Sequence, residues 1–189
     1  MNEKEYEKKI MLSEDEYMSL VRTFSSLDGL TDIKSSKVTQ INHYYDSSSF
    51  SLNSKSETLR VRQIGDCLKL QRKTNKVLVD GVRYSDESEL TLNTLPSQIS
   101  LEQNTYNYLG SSVTNRTNFY YETMVLSFDE NIYLGIVDFE LELEAETMDD
   151  VNKYFLQFFQ EFEGASNKSP GKYSRFVQRL KGMDFKYEL

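Results

Sequence analysis

The 189-residue chain has no tryptophan, one cysteine, one histidine, two prolines and eight glycines. A lone Cys67 rules out a disulfide within the chain, and with only His43 beside it no Cys/His zinc site can be assembled. Cys67 falls in an alternating strand pattern, where an unpaired cysteine usually behaves as a small apolar residue, so a buried, inert thiol is expected. Scarce glycine and proline leave no linker or low-complexity stretch, which predicts one domain over residues 1–189. No apolar run approaches the ~20 residues of a membrane span, and Met1-Asn2-Glu3-Lys4-Glu5 carries no apolar signal region. The expectation is a soluble, cytoplasmic protein with no membrane partner. The net charge of −8 argues against coating nucleic acid, which needs clustered cationic surface. It leaves room for a small anion, because a concave site answers to its local lining.

What is present is aromatic and charged. Hydrophobic residues make up 38% and aromatics 13%, so tyrosine and phenylalanine must supply much of the core. Ser13-Glu14-Asp15-Glu16 reads as a capping box, followed by Tyr17, Leu20, Val21, Phe24 and Leu27 on one helical face. Thr147 reads as the cap of a second helix, with Asp149 and Asp150 in its first turn and Gly164 at its exit. Its apolar stripe runs from Val151 through Tyr154, Phe155, Phe158 and Phe159 to Phe162. Shorter helices are expected over Gln98–Leu109 and Tyr173–Lys181, the latter ending at Gly182. Between these the period falls to two. Strands are expected over Glu3–Met11, Val38–Asp46, Thr58–Ile64, Cys67–Lys73, Val82–Leu92, Asn118–Asp129 and Ile132–Glu146. Gly65-Asp66 is a two-residue hairpin loop, and Lys76–Gly81 connects a further hairpin. The fold class is therefore α+β and predominantly antiparallel β, with seven or eight strands able to curl into a closed or nearly closed barrel.

The polar faces of these strands are unusual. Glu3, Glu5, Glu7 and Lys9 share one face, and so do Asp138, Glu140, Glu142 and Glu144. Arg60 pairs with Arg62, Lys69 with Gln71 and Lys73, while Arg83, Ser85, Glu87 and Glu89 form a mixed row. Carboxylates two apart on a strand lie roughly 6–7 Å from each other. At an effective dielectric near 20 each such pair repels by about 2–2.5 kcal/mol, and in open solvent by several-fold less. The rows are thus either solvated faces or the lining of a lumen, where acids would hold a hard divalent cation and bases an anion.

The same residues resemble the CYTH family, also called triphosphate tunnel metalloenzymes. Glu5-Tyr6-Glu7-Lys8-Lys9 resembles its N-terminal Glu-x-Glu-x-Lys strand, and His43-Tyr44-Tyr45-Asp46 its tyrosine–aspartate segment. Leu59-Arg60-Val61-Arg62 resembles the Leu-Arg-x-Arg strand, followed by the hairpin at Gly65-Asp66 and the strand ending at Lys73. Gly135 to Glu144 resembles the late acidic strand, and Lys172-Tyr173-Ser174-Arg175 the Lys-Tyr-x-Arg segment of many bacterial members. The resemblance implies an eight-stranded antiparallel tunnel that binds a triphosphate. It further implies catalytic roles for Glu5, Glu7 and Lys9, and substrate contacts from Lys9, Arg60, Arg62, Lys73, Arg83, Arg116, Lys172 and Arg175. Metal ligands would be Glu5, Glu7 and Asp129 with two of Glu140, Glu142 and Glu144, either Glu140 with Glu142 or Glu142 with Glu144.

The expected cofactor is Mg²⁺ or Mn²⁺, and the expected activity is hydrolysis of inorganic, thiamine or nucleoside triphosphate. Phosphoryl transfer asks mainly for positioning and electrostatics, so no nucleophilic serine or histidine is needed and His43 is expected to be structural. Glu87 and Glu89 either orient basic side chains or water, or face outward. Adenylate cyclase activity and a non-catalytic polyphosphate-binding module are the alternatives. A monomer or a homodimer fits equally.

Overall fold

The computed structural model describes residues 3–28, 32–163, 165 and 169–182, apart from the side chains of residues 3–5. Nine strands run β1 (Glu3–Leu12), β2 (Lys34–Asp46), β3 (Thr58–Ile64), β4 (Cys67–Val79), β5 (Val82–Leu92), β6 (Gln98–Leu101), β7 (Asn104–Tyr121), β8 (Met124–Tyr133) and β9 (Ile136–Ala145). Helices are α1 (Glu14–Leu27), α2 (Ser51–Ser54), α3 (Met148–Phe159) and α4 (Lys172–Gly182). The strands pair in the order β2-β3-β4-β5-β1-β9-β8-β7-β6, every pairing is antiparallel, and β2 also pairs with β7. That last pairing closes eight strands into a ring, with β6 left outside on β7.

Closure decides which face of each strand is wet. The apolar residues of β1, β9, β8 and β7 (Ile10, Leu141, Leu143, Leu126, Phe128 and Phe119) face outward, into a core with α1 and α3. Ser13 caps α1 with both bonds of its box formed, and Phe24 is the buried residue of that helix. Phe24 sits amid Phe119, Phe128, Phe158 and Phe159, with ring centroids 5.5–6.0 Å away. Thr147 caps α3 as expected, while Gly164 lies outside the described residues. A second cluster, with Tyr45, Leu59, Val61, Ile99 and Tyr106, covers the outside of β2 and β3. In the third, Tyr173, Phe176 and Val177 of α4 pack on Tyr44 and Tyr133.

Several boundaries differ from expectation. The segment Gln98–Leu109 is not a helix: it is β6, a tight turn and the start of β7. Ile99 and Leu101 alternate, as do Tyr106 and Tyr108, and pairing Ile99 with Tyr106 buries both. Here tertiary burial outranks local preference. Asn118–Asp129 and Ile132–Glu146 are each split by a two-residue turn, at Glu122-Thr123 and Leu134-Gly135. Leu134 and Gly135 both take positive φ (45° and 77°), the conformation a two-residue hairpin turn requires. The strand from Cys67 runs on to Val79, so the β4–β5 loop shrinks from Lys76–Gly81 to Asp80-Gly81. Cys67, at the β3–β4 hairpin, is exposed and not buried, because that corner lies beyond the packed clusters. No helix among the described residues is long and apolar enough to cross a membrane.

Candidate functional site

With the apolar faces turned out, the charged rows line the lumen, and part of it is a cavity of about 350 Å³. Among the described residues eight cationic side chains and four carboxylates line it, so its balance is opposite in sign to that of the whole chain. Strand order sets two walls. Strands β1, β9, β8 and β7 bring Glu7, Lys9, Glu142, Glu144, Asp129 and Arg116 together through the pairs Glu7↔Glu144, Lys9↔Glu142, Asp129↔Glu140 and Arg116↔Asp129. Strands β3, β4 and β5 supply Arg60, Arg62, Lys73 and Arg83 on the other side. Glu5 stands on β1 opposite Ser85, but its side chain lies outside the described residues.

On the acidic wall every described charge is engaged. Lys9 Nζ lies 2.7 Å from Glu142 and 3.1 Å from Glu7. Burial works against this ammonium, yet Glu142 and Glu7 outweigh it and hold its pKa above the usual lysine range. Arg116 grips Asp129 through Nε at 2.7 Å and Nη2 at 2.6 Å and also donates to Glu142. This fork suits a planar carboxylate. Burial penalises Glu142, but Lys9 and Arg116 prevail and keep it well below the ordinary carboxylate range. Asp129 behaves alike, held down against burial by Lys172 and Arg116.

Helix α4 delivers the C-terminal pair. Lys172 Nζ sits among Asp129 (2.7 Å), Glu142 (3.0 Å) and Glu140. Burial pulls its pKa down, and Asp129 opposes that pull. Arg175 is bound to Asp138 (2.8 Å), Glu140 (2.7 Å) and the carbonyl of Pro170, and it does not line the cavity. Glu140 is fully buried behind the wall, between Lys172 and Arg175. Among the described residues, two carboxylate groups are close enough to share an ion, Glu7–Glu142–Glu144 and Asp129–Glu140–Glu142, each with oxygens within 4.8 Å of one another. The second already surrounds the Lys172 ammonium, whereas Glu7, Glu142 and Glu144 line the cavity.

The basic wall is less neutralised. Lys73 lies 3.1 Å from Glu87, and Lys69 pairs with Glu89 at the exposed end, so both carboxylates orient basic side chains. Arg60 and Arg62 are held at Nε by the neutral amide oxygens of Gln71 (3.0 Å) and Asn42 (3.3 Å), and neither makes an ion pair among the described residues. Burial, with Arg60 and Arg116 nearby, pushes Arg62 down to about 10. Arg83 is lowered by burial, with Glu7 and Glu142 pulling the other way.

One lining cation escapes a reading by strict alternation: Lys76. Its ammonium donates to Thr58 Oγ1 at 2.6 Å. The residue as a whole is exposed, but partial burial of its ammonium where it lines the cavity, and the neighbouring Lys73 and Lys9, push its pKa down to about 7. Asn75, which has positive φ inside a strand, is the residue that could have flagged it. His43 is buried, bonds Gln63 at 3.2 Å and does not line the cavity, in keeping with a structural role.

A closed antiparallel ring whose lumen sets carboxylates against arginines and lysines is suited to an anion beside a hard cation. The CYTH domain profile matches residues 3–177, and the chain belongs to the CYTH family. It is 26% identical over 186 residues to YjbK of Bacillus subtilis (strain 168), a triphosphatase candidate, covering 92% of this chain and 94% of that protein. Its fold is similar to that of an adenylate cyclase candidate from Bacillus halodurans, with TM-score 0.71 and 22% identity over 93% of this chain and 98% of the other. It is also similar to HpAC1 from Hippeastrum, an adenylyl cyclase candidate described as having a dominant triphosphatase activity (TM-score 0.72, 20% identity, 92% and 95% coverage).

Proposed function

We propose that this protein is a divalent-metal-dependent hydrolase of a triphosphate compound. The observation that carries the reading is the pair of opposed walls: Arg60 and Arg62 lack carboxylate partners among the described residues, and they share one cavity with Glu7, Glu142 and Glu144. Burial, with Arg60 and Arg116 close by, lowers Arg62 to about 10, and a polyanion between these cations would relieve their mutual repulsion. The descriptions of YjbK and HpAC1 agree with this reading.

The donor set suits magnesium or manganese, which prefer oxygen ligands. Glu7, Glu142 and Glu144, with Glu5 on the same strand face as Glu7, would hold the ion. A bound ion neutralises phosphate charge and acidifies water at the site. The protein's own groups do the rest. Arg60, Arg62, Lys73 and Arg83 grip and align phosphate oxygens, the guanidiniums as forks and the lysine as a point charge. Lys9 and Arg116 hold Glu142 in place, and through it the acidic wall.

The test is phosphate release from inorganic, thiamine and nucleoside triphosphates with Mg²⁺ or Mn²⁺. Glu7→Gln and Glu142→Gln should each lower kcat/KM by roughly 100-fold or more, beyond what loss of an outer-shell partner costs. Full activity in both variants would overturn the mechanism. With ATP the expected products are ADP and phosphate; cyclic AMP and pyrophosphate would make the protein a cyclase instead.

A further inference from the structure

The inward row of β4 runs Lys69, Gln71, Lys73, and strict alternation would place Asn75 next in the lumen with Lys76 outside. The register shows otherwise. Thr74 pairs with Asp86 and Val77 with Tyr84, so Asn75 and Lys76 together oppose the single residue Ser85. Two residues against one is a β-bulge, a device that re-aims a side chain. Asn75 takes φ 52°, a conformation asparagine tolerates better than most residues, and its side-chain amide bonds Asp86 at 2.7 Å. Inserting one residue resets the parity. Leu78, opposite Arg83, and Lys76, opposite Ser85, now face the lumen, and both line the cavity.

Lys76 differs from its neighbours on this row. Lys69 is ion-paired diagonally with Glu89 and Lys73 with Glu87 directly opposite, whereas the residue across from Lys76 is neutral Ser85. Its partner is a hydroxyl, Thr58 Oγ1, and it makes no ion pair among the described residues. Two positions along β5 separate Glu87 from Ser85, so the bulge lengthens the cationic wall by about 7 Å toward the β4–β5 hairpin. A cation brought among cations by a special backbone feature, with no carboxylate paired to it among the described residues, suits an anion that arrives from outside.

Resting on the proposed triphosphate site, we propose that Lys76 binds the phosphate nearest the β4–β5 hairpin and thereby sets the phosphate-chain length the site prefers. The experiment is calorimetric titration with tripolyphosphate and with pyrophosphate, in chelator and again with Mg²⁺. Measurements on wild type, Lys76→Gln and Lys76→Arg are compared, with a thermal midpoint for each. Losing one charge-assisted contact should weaken tripolyphosphate binding about tenfold in Lys76→Gln. Pyrophosphate, on this reading one phosphate too short to reach Lys76, should weaken less than about threefold, well under one such contact. Lys76→Arg should restore most of the tripolyphosphate affinity, and all three proteins should melt alike. An unchanged tripolyphosphate affinity in Lys76→Gln, or equal weakening for both ligands, overturns the role of Lys76 while leaving the triphosphate site standing. Wild-type protein that binds tripolyphosphate in neither medium overturns the site reading itself.

Discussion

At the residue scale, the charges that matter are those whose partners are missing or contested. Glu142 is held by Lys9, Arg116 and Lys172, whereas Arg60, Arg62 and Lys76 make no ion pair among the described residues. Lys76 should also give the site a pH dependence. Around it stand Lys73 on its own strand, Lys9 and Glu7 of β1 and Arg60 of β3, and β5 presents Ser85 between Arg83 and Glu87. With a pKa of about 7, the amine is charged below that pH and neutral above it in the free protein. The affinity deficit of Lys76→Gln for tripolyphosphate should therefore be larger at pH 6 than at pH 8.5. Comparing the two proteins at each pH cancels the ligand's own titration. A deficit that does not change with pH would show that Lys76 stays charged throughout.

At the element scale, backbone features aim the side chains. Helix α4 must approach β7 closely for Lys172 to reach the acidic wall. At Gly110 (φ 141°) an added Cβ would lie 3.0 Å from the Phe176 ring. Gly110→Ala should cost about 1–3 kcal/mol from backbone strain and crowding, measured by denaturant unfolding. Asp46 is a second anchor: fully buried, it accepts the Tyr173 hydroxyl at 2.6 Å and the backbone N–H groups of Leu52 and Asn53 at 2.9 and 3.0 Å. Asp46→Ala strands several donors at once, so it should destabilise by about 3 kcal/mol or more. The cap of α1 is exposed and local, so Ser13→Ala should cost only about 1 kcal/mol and leave ligand binding unchanged. The helix starts, the Gly65-Asp66 hairpin and the Arg60/Arg62 face were legible because each depends on neighbours within a few residues. The stretch from Gln98 to Leu109 was not, because its pairing with itself gains its value from Tyr45, Leu59 and Val61 far along the chain.

At the scale of the whole molecule, the ring holds two walls of opposite charge apart, and on the proposed reading a polyanion and a cation bridge them. A ligand that binds only the closed ring must stabilise it. At 100 times its dissociation constant, tripolyphosphate with Mg²⁺ should add about 2.7 kcal/mol to the unfolding free energy. An upward shift of the melting temperature checks this, and no shift at saturation would contradict it. Raising salt should weaken the gain where the cavity opens to solvent, near Lys76, more than among the buried ion pairs.

The sequence by itself determined the strand periodicity, the rows of like charge and which residue types share each row, because side-chain parity and capping are local properties of the chain. It could not say whether those rows faced water or one another, since that turns on the β2–β7 pairing that closes the ring. Tertiary structure alone decided that the apolar faces turn outward onto α1 and α3. It placed Lys172 among Asp129, Glu140 and Glu142, so that among the described residues Glu7, Glu142 and Glu144 are the clustered carboxylates facing the cavity. It also turned Lys76 inward, because one bulged residue reverses the parity of every residue that follows until the hairpin turn.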